Sequence, residues 1–428
     1  MRIRNLAIAS IAVVALLAGA CKSSGTESSN GSQPMSTELG TGVTADTIKI
    51  GFAYIDVTAL KDIMPTLNQG NYETAFQAYV DGVNDAGGIN GRKVEVVYAP
   101  INPVKSDSPL AACTKLTEDE KVFAVVAPNA YPAALQCILK DHATPVVGSD
   151  QTAALLAAAK APWFTPKLST PGATTKVLDG AIKDGSLKGK KVAIIAGDAD
   201  KGVSEAASAQ LKAGGITVVD SALQSPDLGD ISAAVAESKV FAQRFQSDGA
   251  DAVLVIGNAF TIFAQALSQT TYRPQLVGTT TGLAETYLLQ SGDTAILNGM
   301  IAGGGPSMIT EWTTPQVQKC VTQVMKVDPT RQITPPDDPS LKTPDTFTSI
   351  TNTCQFFELF AAIAQKAGKT LNNDTFRMAG QNLGKITLPA VGGESDFTPD
   401  VPNGNPPLFL SSWDSATNKF NISKTPVK

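Results

Sequence analysis

The chain has 428 residues, 43% of them hydrophobic and 17% charged, enough for two or three domains of ordinary globular composition. Its formal net charge is −5 and it holds no run of Lys and Arg. A nucleic-acid partner is thereby excluded, because phosphate binding needs clustered cations.

Residues 1–20 read as a signal peptide: Arg2 and Arg4 are its positive head, and Leu6 to Ala18 is an apolar core too short for a stable membrane span. Removing them takes away two positive charges and no acid, so −5 becomes −7. Leu17-Ala18-Gly19-Ala20-Cys21 resembles a lipobox, with Leu17 one place earlier than in the commonest spacing. The expectation is a lipid on Cys21 and anchoring to the outer face of the cell membrane. Simple cleavage and release, with Cys21 incidental, is the alternative. Residues 21–42 are rich in Ser, Gly and Thr without an apolar period, and so form a flexible tether.

From Val43 the pattern changes. Ile48, Ile50 and Phe52 alternate with Lys49 and Gly51, as in a strand. Tyr72, Ala75, Phe76, Tyr79, Val80 and Val83 fall on one helical stripe. Ala86-Gly87-Gly88 stops that helix, Asn90-Gly91 turns the chain, and Val94, Val96 and Val97 begin a second strand. Strand, crossover helix and strand make the unit of a parallel sheet. The stretch Val-Thr-x-Asp-x-Ile-Lys-Ile-Gly, with the helix closing on Val-Asn-x-Ala-Gly-Gly-Ile-Asn-Gly-Arg, resembles the start of branched-chain amino-acid-type solute-binding proteins of ABC importers. The resemblance is specific over residues 43–98. It implies a type I periplasmic binding fold, two doubly wound Rossmann-like α/β lobes joined by three hinge crossings.

The unit then repeats. Helices are expected at Leu110–Thr117 and Ala133–Lys140, and strands at Val122–Ala127 and Thr144–Gly148. Pro162 to Pro171 carries three prolines and reads as a crossing rather than an element, with Trp163 and Phe164 at the seam. Beyond it strands are expected at Lys191–Ala196, Ile216–Asp220, Ala252–Gly257 and Gln275–Gly278, with helices at Gly202–Ala213, Ile231–Gln246 and Phe260–Ser268. Ile301 to Pro306 reads as the crossing back. Helices follow at Gln316–Met325, Phe347–Ala367 and Asn373–Leu383, around a Pro- and Asp-rich surface loop from Val327 to Pro344. Alternating strands at FLSSW and KFNI close the chain. The N-terminal lobe is therefore drawn as 43–165 with 305–385, and the C-terminal lobe as 166–304 with 386–428.

Four cysteines remain after Cys21, which three pairings could join. An exported protein favours disulfides, and Cys113–Cys137 and Cys320–Cys354 are expected, each closing a short loop between neighbouring helices. Zinc is the weaker reading: no Cys-x-x-Cys occurs and His142 is the single histidine.

Ligands of open α/β sheets lie beyond the carboxyl ends of the strands. The residues that follow the predicted strands are Tyr54 and Asp56, Tyr131, Ser149, Asp150 and Gln151, then Asp198 and Lys201, Asn258, and Thr279 to Thr281. Each could simply lead into the next helix, Ser149, Asp150 and the threonines being good N-caps, and the ligand reading gains from the set's arising on both lobes. The resemblance places Tyr131 where amino-acid binders put a carboxylate-holding serine. Asp150, Gln151 and Thr152 stand where a small residue and a threonine bracket the ligand. Lys201 replaces an aromatic residue, and Thr280 the acid that meets the substrate ammonium. An ammonium without a carboxylate in a closed cleft is costly, so these departures disfavour branched-chain amino acids. They favour another small polar solute, an amide or carboxylate, held by Tyr131, Gln151 and Lys201, with a cation received by Asp150 as the alternative.

An enzyme is not expected. His142 has no nucleophile elbow beside it, Gly303-Gly304-Gly305 lacks the Lys-Ser/Thr of a phosphate loop, and Asp337-Asp338 sits in a Pro-rich loop. No cofactor or metal is called for. The expected partners are a small-molecule solute and an ABC permease. The alternative is a sensing module that presents its ligand to a separate membrane protein. A transcriptional repressor of similar fold is opposed by the export signal.

Overall fold

A computed structural model describes residues 36–60, 69–225, 231–291, 293–305, 311–329, 333–335, 347–399, 401 and 403–427, which belong to one compact unit, Ser36–Lys428. Cys21, Asp337 and Asp338 lie outside the described residues, as does most of the expected loop 327–344.

Strand β1 (Thr47–Ile55) is the axis of the first half. Its Ile48, Ile50 and Phe52 are fully buried, and it pairs in parallel with β2 (Lys93–Ile101) on one side and β3 (Ala124–Ala127) on the other. Helix α1 (Tyr72–Asp85) makes the crossover, with Asn71 Oδ1 accepting from the Thr74 N–H at its start. Beyond β3 lie β4 (Val146–Gly148) and β5 (Trp163–Phe164), so the sheet runs β2-β1-β3-β4-β5, all parallel. Helices α2 (Ser108–Thr114) and α3 (Pro132–Gln136) each end in a widened turn, at Lys115–Asp119 and Cys137–Asp141, and α4 (Ala153–Ala158) follows β4.

Helix α5 (Thr170–Lys183) begins the second half, with Ser169 as its cap and Pro171 in its first turn. Next come β6 (Lys191–Gly197), α6 (Lys201–Ala213), β7 (Thr217–Gln224), α7 (Ile231–Ser247), β8 (Ala252–Ile256), α8 (Ala259–Ser268), β9 (Gln275–Gly278), α9 (Thr281–Ser291) and β10 (Ile301–Gly304). Helices α10 (Pro315–Val327), α11 (Phe347–Ala367) and α12 (Asn373–Gln381) return to the first sheet. A small hairpin of β11 (Gly384–Thr387) and β12 (Glu394–Phe397) follows, then β13 (Phe409–Asp414) and β14 (Lys419–Ile422). The second sheet runs β14-β13-β10-β9-β8-β6-β7, antiparallel only at β13 and β14.

Three expectations change. Trp163 and Phe164 are a strand: the prolines flank it, and Val146 and Val147 supply its ladder. The stretch 301–304 is not a crossing but an inner strand between β9 and β13, its Gly303 too close to Val177 and Leu408 for a side chain. The stretch 386–397, placed by sequence with the second half, packs its Leu388, Val391 and Phe397 into the first core. That core is aromatic: Phe52 stacks on Phe76 at 4.0 Å between centroids, and Phe123, Phe164 and Phe360 surround Phe376. Both expected disulfides, Cys113–Cys137 and Cys320–Cys354, are present.

Candidate functional site

The carboxyl ends of the first sheet present two kinds of residue. Some are consumed locally. Asp56 accepts from the Thr58 N–H and hydroxyl at 3.0 and 2.6 Å, a turn of its own. Ser149, with φ +57°, is buried and donates to the Ala127 carbonyl at 2.8 Å, closing the end of β3 onto β4. Tyr54 stacks on Phe52 and Tyr72 and donates to Glu73 at 2.9 Å; burial first, and then that carboxylate, drive its phenol far above the ordinary range. It stays protonated, a donor already engaged. Tyr131 opens α3 without capping it, and burial raises its phenol too.

Gln151 differs. It is 1% exposed, its Nε2 donates to the Trp163 carbonyl at 2.9 Å, and its Oε1 has no partner among the described residues. The following Thr152 caps α4 through the Leu155 N–H, while Asp150 is exposed and 3.9 Å from Lys167.

On the second sheet Lys201, Asp198 and Asn258 are exposed, and Thr280 accepts from the Gly282 N–H at 3.2 Å. The residue that turns inward is one that the sequence reading passed over. Asp200, 8% exposed, sits where a cap of α6 would stand, yet its side chain makes no capping bond and its Oδ1 has no partner among the described residues. Burial raises its carboxyl above the ordinary range. The signal was an acid doublet, Asp198-Ala199-Asp200, after an apolar strand: an outward acid solvates, and the second, two places on, is swept inward as the helix begins.

These two side chains meet a common neighbourhood. A cavity of 290 Å³ is lined by Gln151, Thr152, Leu156 and Ala157 from the first half and by Ser169 and Pro171 from the start of α5. Thr170, between those last two, donates its N–H to the Gln151 carbonyl at 3.4 Å. Its Cγ2 and Asp200 Oδ2 lie 3.6 and 3.1 Å from the point that a Cβ on Gly257 would occupy. Helix α4 also packs on the turn that holds Asp200. The structure thus gathers Gln151 and Thr152 at the junction; Asp200, Tyr54, Tyr131, Lys201, Asn258 and Thr280 do not line this cavity. A larger hollow of 410 Å³ lies at the opposite end of the first sheet, against Val122, Phe123, Thr144 and Pro145 where strands begin. Loops at strand starts carry no ligand in folds of this architecture.

The described helices include none long and apolar enough to cross a membrane. Among known proteins, a family model described as periplasmic binding protein matches residues 47–418. No curated protein matches the chain. Solved structures do. An ABC transporter substrate-binding protein from Desulfitobacterium hafniense in complex with Leu is 16% identical at TM-score 0.57, over 88% of this chain and 100% of its own. A solute-binding protein from R. palustris in complex with 4-hydroxybenzoate is 16% identical at TM-score 0.61, over 90% and 98%. A fatty acid ABC transporter substrate-binding protein from Thermomonospora curvata is 18% identical at TM-score 0.61, over 91% and 94%. At these identities the likeness is one of fold.

Proposed function

The chain belongs to the periplasmic binding protein family, and from that premise we propose that it captures a small polar organic solute between its two lobes and delivers it to an ABC importer. The observation that carries this is the junction cavity, walled by α4 of one lobe and the start of α5 of the other, with Gln151, Thr152 and Ser169 among its lining residues. A solute that touches both walls has more contacts when the lobes are together, and so shifts the population toward closure. The closed rims are then what a permease reads; the solute itself undergoes no chemistry.

The solutes named for the structural relatives, Leu, 4-hydroxybenzoate and fatty acid, all carry a carboxyl group. An amino acid, amide or carboxylate is the solute class we propose for this cleft as well, with Lys201 and Tyr131 offered as the groups to meet an anion and Ser149, Asp150, Asn258 and Thr280 as further contacts from the strand ends. Export and a lipid on Cys21 place the protein at the outer face of the membrane. Protein purified without denaturation is expected to carry its solute. Mass spectrometry identifies it, and scattering with and without it should show compaction. A shape unchanged by every solute that binds would defeat the capture mechanism. Cys21→Ala should release the protein from the membrane fraction; retention there would remove the anchor.

A further inference from the structure

Away from the junction, one cluster of metal-ligating side chains has chemistry that solute capture does not use. The Cys113 and Cys137 sulfurs and a ring nitrogen of His142 all lie within 4.8 Å of one another. Glu118 Oε1 is 3.3 Å from His142 Nε2. The widened turns after α2 and α3 make this grouping. His142 follows Cys137 by one such turn, and its N–H donates to the Cys137 carbonyl at 3.0 Å, which sets the imidazole beside the sulfur. Glu118 has the same spacing from Cys113 and lies in the widened turn after α2. Thr117 Oγ1, 3.8 Å from Cys113 Sγ, puts a hydroxyl at the edge of the group. Cys113 is fully buried and Cys137 half-buried, while the His142 and Glu118 side chains are 29% and 55% exposed. Thr117 and His142 also line the 410 Å³ hollow, which gives an ion a way in. The Cys320–Cys354 pair lacks this company: its third group is Glu358, held by Lys319 at 2.7 Å, and the single histidine is elsewhere.

We propose that the thiol form of this pair is a tetrahedral site for Zn2+, bound by the Cys113 and Cys137 thiolates, the His142 imidazole and the Glu118 carboxylate. Thiolate sulfur, imidazole nitrogen and carboxylate oxygen are the donors that this ion takes, in a set of four. In the disulfide the sulfurs have no thiolate to give, so metal and disulfide exclude each other. The exchange balances: a dithiol reductant passes two electrons and two protons to the S–S bond and leaves as its own disulfide, and Zn2+ then displaces the two thiol protons. On a tetrahedral ion two thiolates stand about 3.8 Å apart. Cα atoms 6.2 Å apart allow this by side-chain rotation alone. A chain whose thiols have not yet oxidised thereby keeps its tie between α2 and the turn after α3. The site shares no residue with the junction cavity.

The test is titration of Co2+, the coloured stand-in for zinc, into the mature protein before and after reduction with a phosphine, which adds no competing thiol. The reduced protein should develop the thiolate charge-transfer absorption and the intense visible bands of tetrahedral cobalt, and Zn2+ should bleach them. The disulfide form should show neither. His142→Ala keeps the disulfide, and with it the oxidised fold; once reduced it should bind the ion roughly tenfold or more weakly, and Glu118→Gln should bind it less weakly than that. Cys113→Ser/Cys137→Ser retains the other cysteine pair and should stay colourless. Zn2+ should raise the urea midpoint of the reduced wild type, and raise it less in His142→Ala. Reduced wild type without the charge-transfer band, folded or not, overturns the proposal. So does an affinity that His142→Ala leaves unchanged, or the same absorption in Cys113→Ser/Cys137→Ser.

Discussion

Asp200 holds a carboxyl whose burial raises its pKa, and the sign of its linkage to stability follows. An acid with a folded pKa above its unfolded one favours the folded state fully below the unfolded value, and that benefit is lost as pH rises through the folded value. Asp200→Asn is therefore expected to stabilise the protein at pH 7 by roughly 1 kcal/mol, with the gap closing below about pH 4. Urea melts at both values measure it, and a gap equal at the two would contradict the assignment. Gly148 precedes the loop that carries Gln151. It has φ +115°, and a Cβ there would lie 2.3 Å from the Ala127 carbonyl oxygen. Gly148→Ala should cost at least about 2 kcal/mol and displace Ser149 and Gln151 together, read as a lower urea midpoint with weakened solute binding. At this scale the sequence was least legible. Asp56, Ser149 and Thr280 follow strands just as Asp200 does, and all four are small polar side chains. Only the turn geometry decides which accept or donate locally and which stay unpaired.

Elements were legible wherever one face of a segment faces the core throughout. Helix α1 and helix α11 carry unbroken apolar stripes, and strands β8 and β9 are apolar runs bounded by Gly. Elements were lost where punctuation residues lie inside them. Pro171 reads as a breaker but occupies the first turn of α5, where its missing N–H costs nothing. Gly303 of β10 reads as part of a crossing but is required by the close approach of Val177 and Leu408. Packing between elements gives two further expectations. A Cβ on Gly380 of α12 would fall 2.2 Å from the Phe164 ring. Gly380→Ala should destabilise by about 1–3 kcal/mol despite the better helix propensity of Ala, and a stabilised variant would show that α12 moves freely on β5. The Cys320–Cys354 bond ties α10 to α11, its ends 34 positions apart in the chain. Replacing both cysteines by Ser should cost about 3 kcal/mol. Since neither helix lines the junction cavity, solute affinity should not change.

At the scale of the molecule, the three passages of chain between the sheets are fastened to one another. The Gly404 N–H donates to the Thr165 carbonyl at 2.8 Å, joining the first passage to the third, and the Ser395 hydroxyl to the Pro166 carbonyl at 3.1 Å, joining the first to β12, from which the third leaves. Glu311 ties the second to the turn of the β11–β12 hairpin, from which the third sets out: 6% exposed, it accepts from the Ala390 N–H at 3.0 Å, at a residue held at φ +58°. Burial raises its carboxyl even though the N–H groups of Ala390 and Gly392 pull it down. A hinge of three linked straps bends as one piece, so in the proposed capture solute contacts at the junction would be converted into closure rather than into independent motions of each strap. Two substitutions separate the bond from the charge. Glu311→Gln keeps an acceptor for Ala390 and sheds a buried charge; stability at pH 7 should hold to within roughly 0.5 kcal/mol and solute affinity should be retained. Glu311→Ala leaves a half-buried N–H without its acceptor, which should cost roughly 1 kcal/mol. It should also weaken the solute identified by mass spectrometry, because the unfastened straps no longer favour the closed arrangement. Calorimetry and urea melts on the pair decide: equal affinity in Glu311→Ala and wild type would mean that the passages act independently and that closure draws nothing from their fastening.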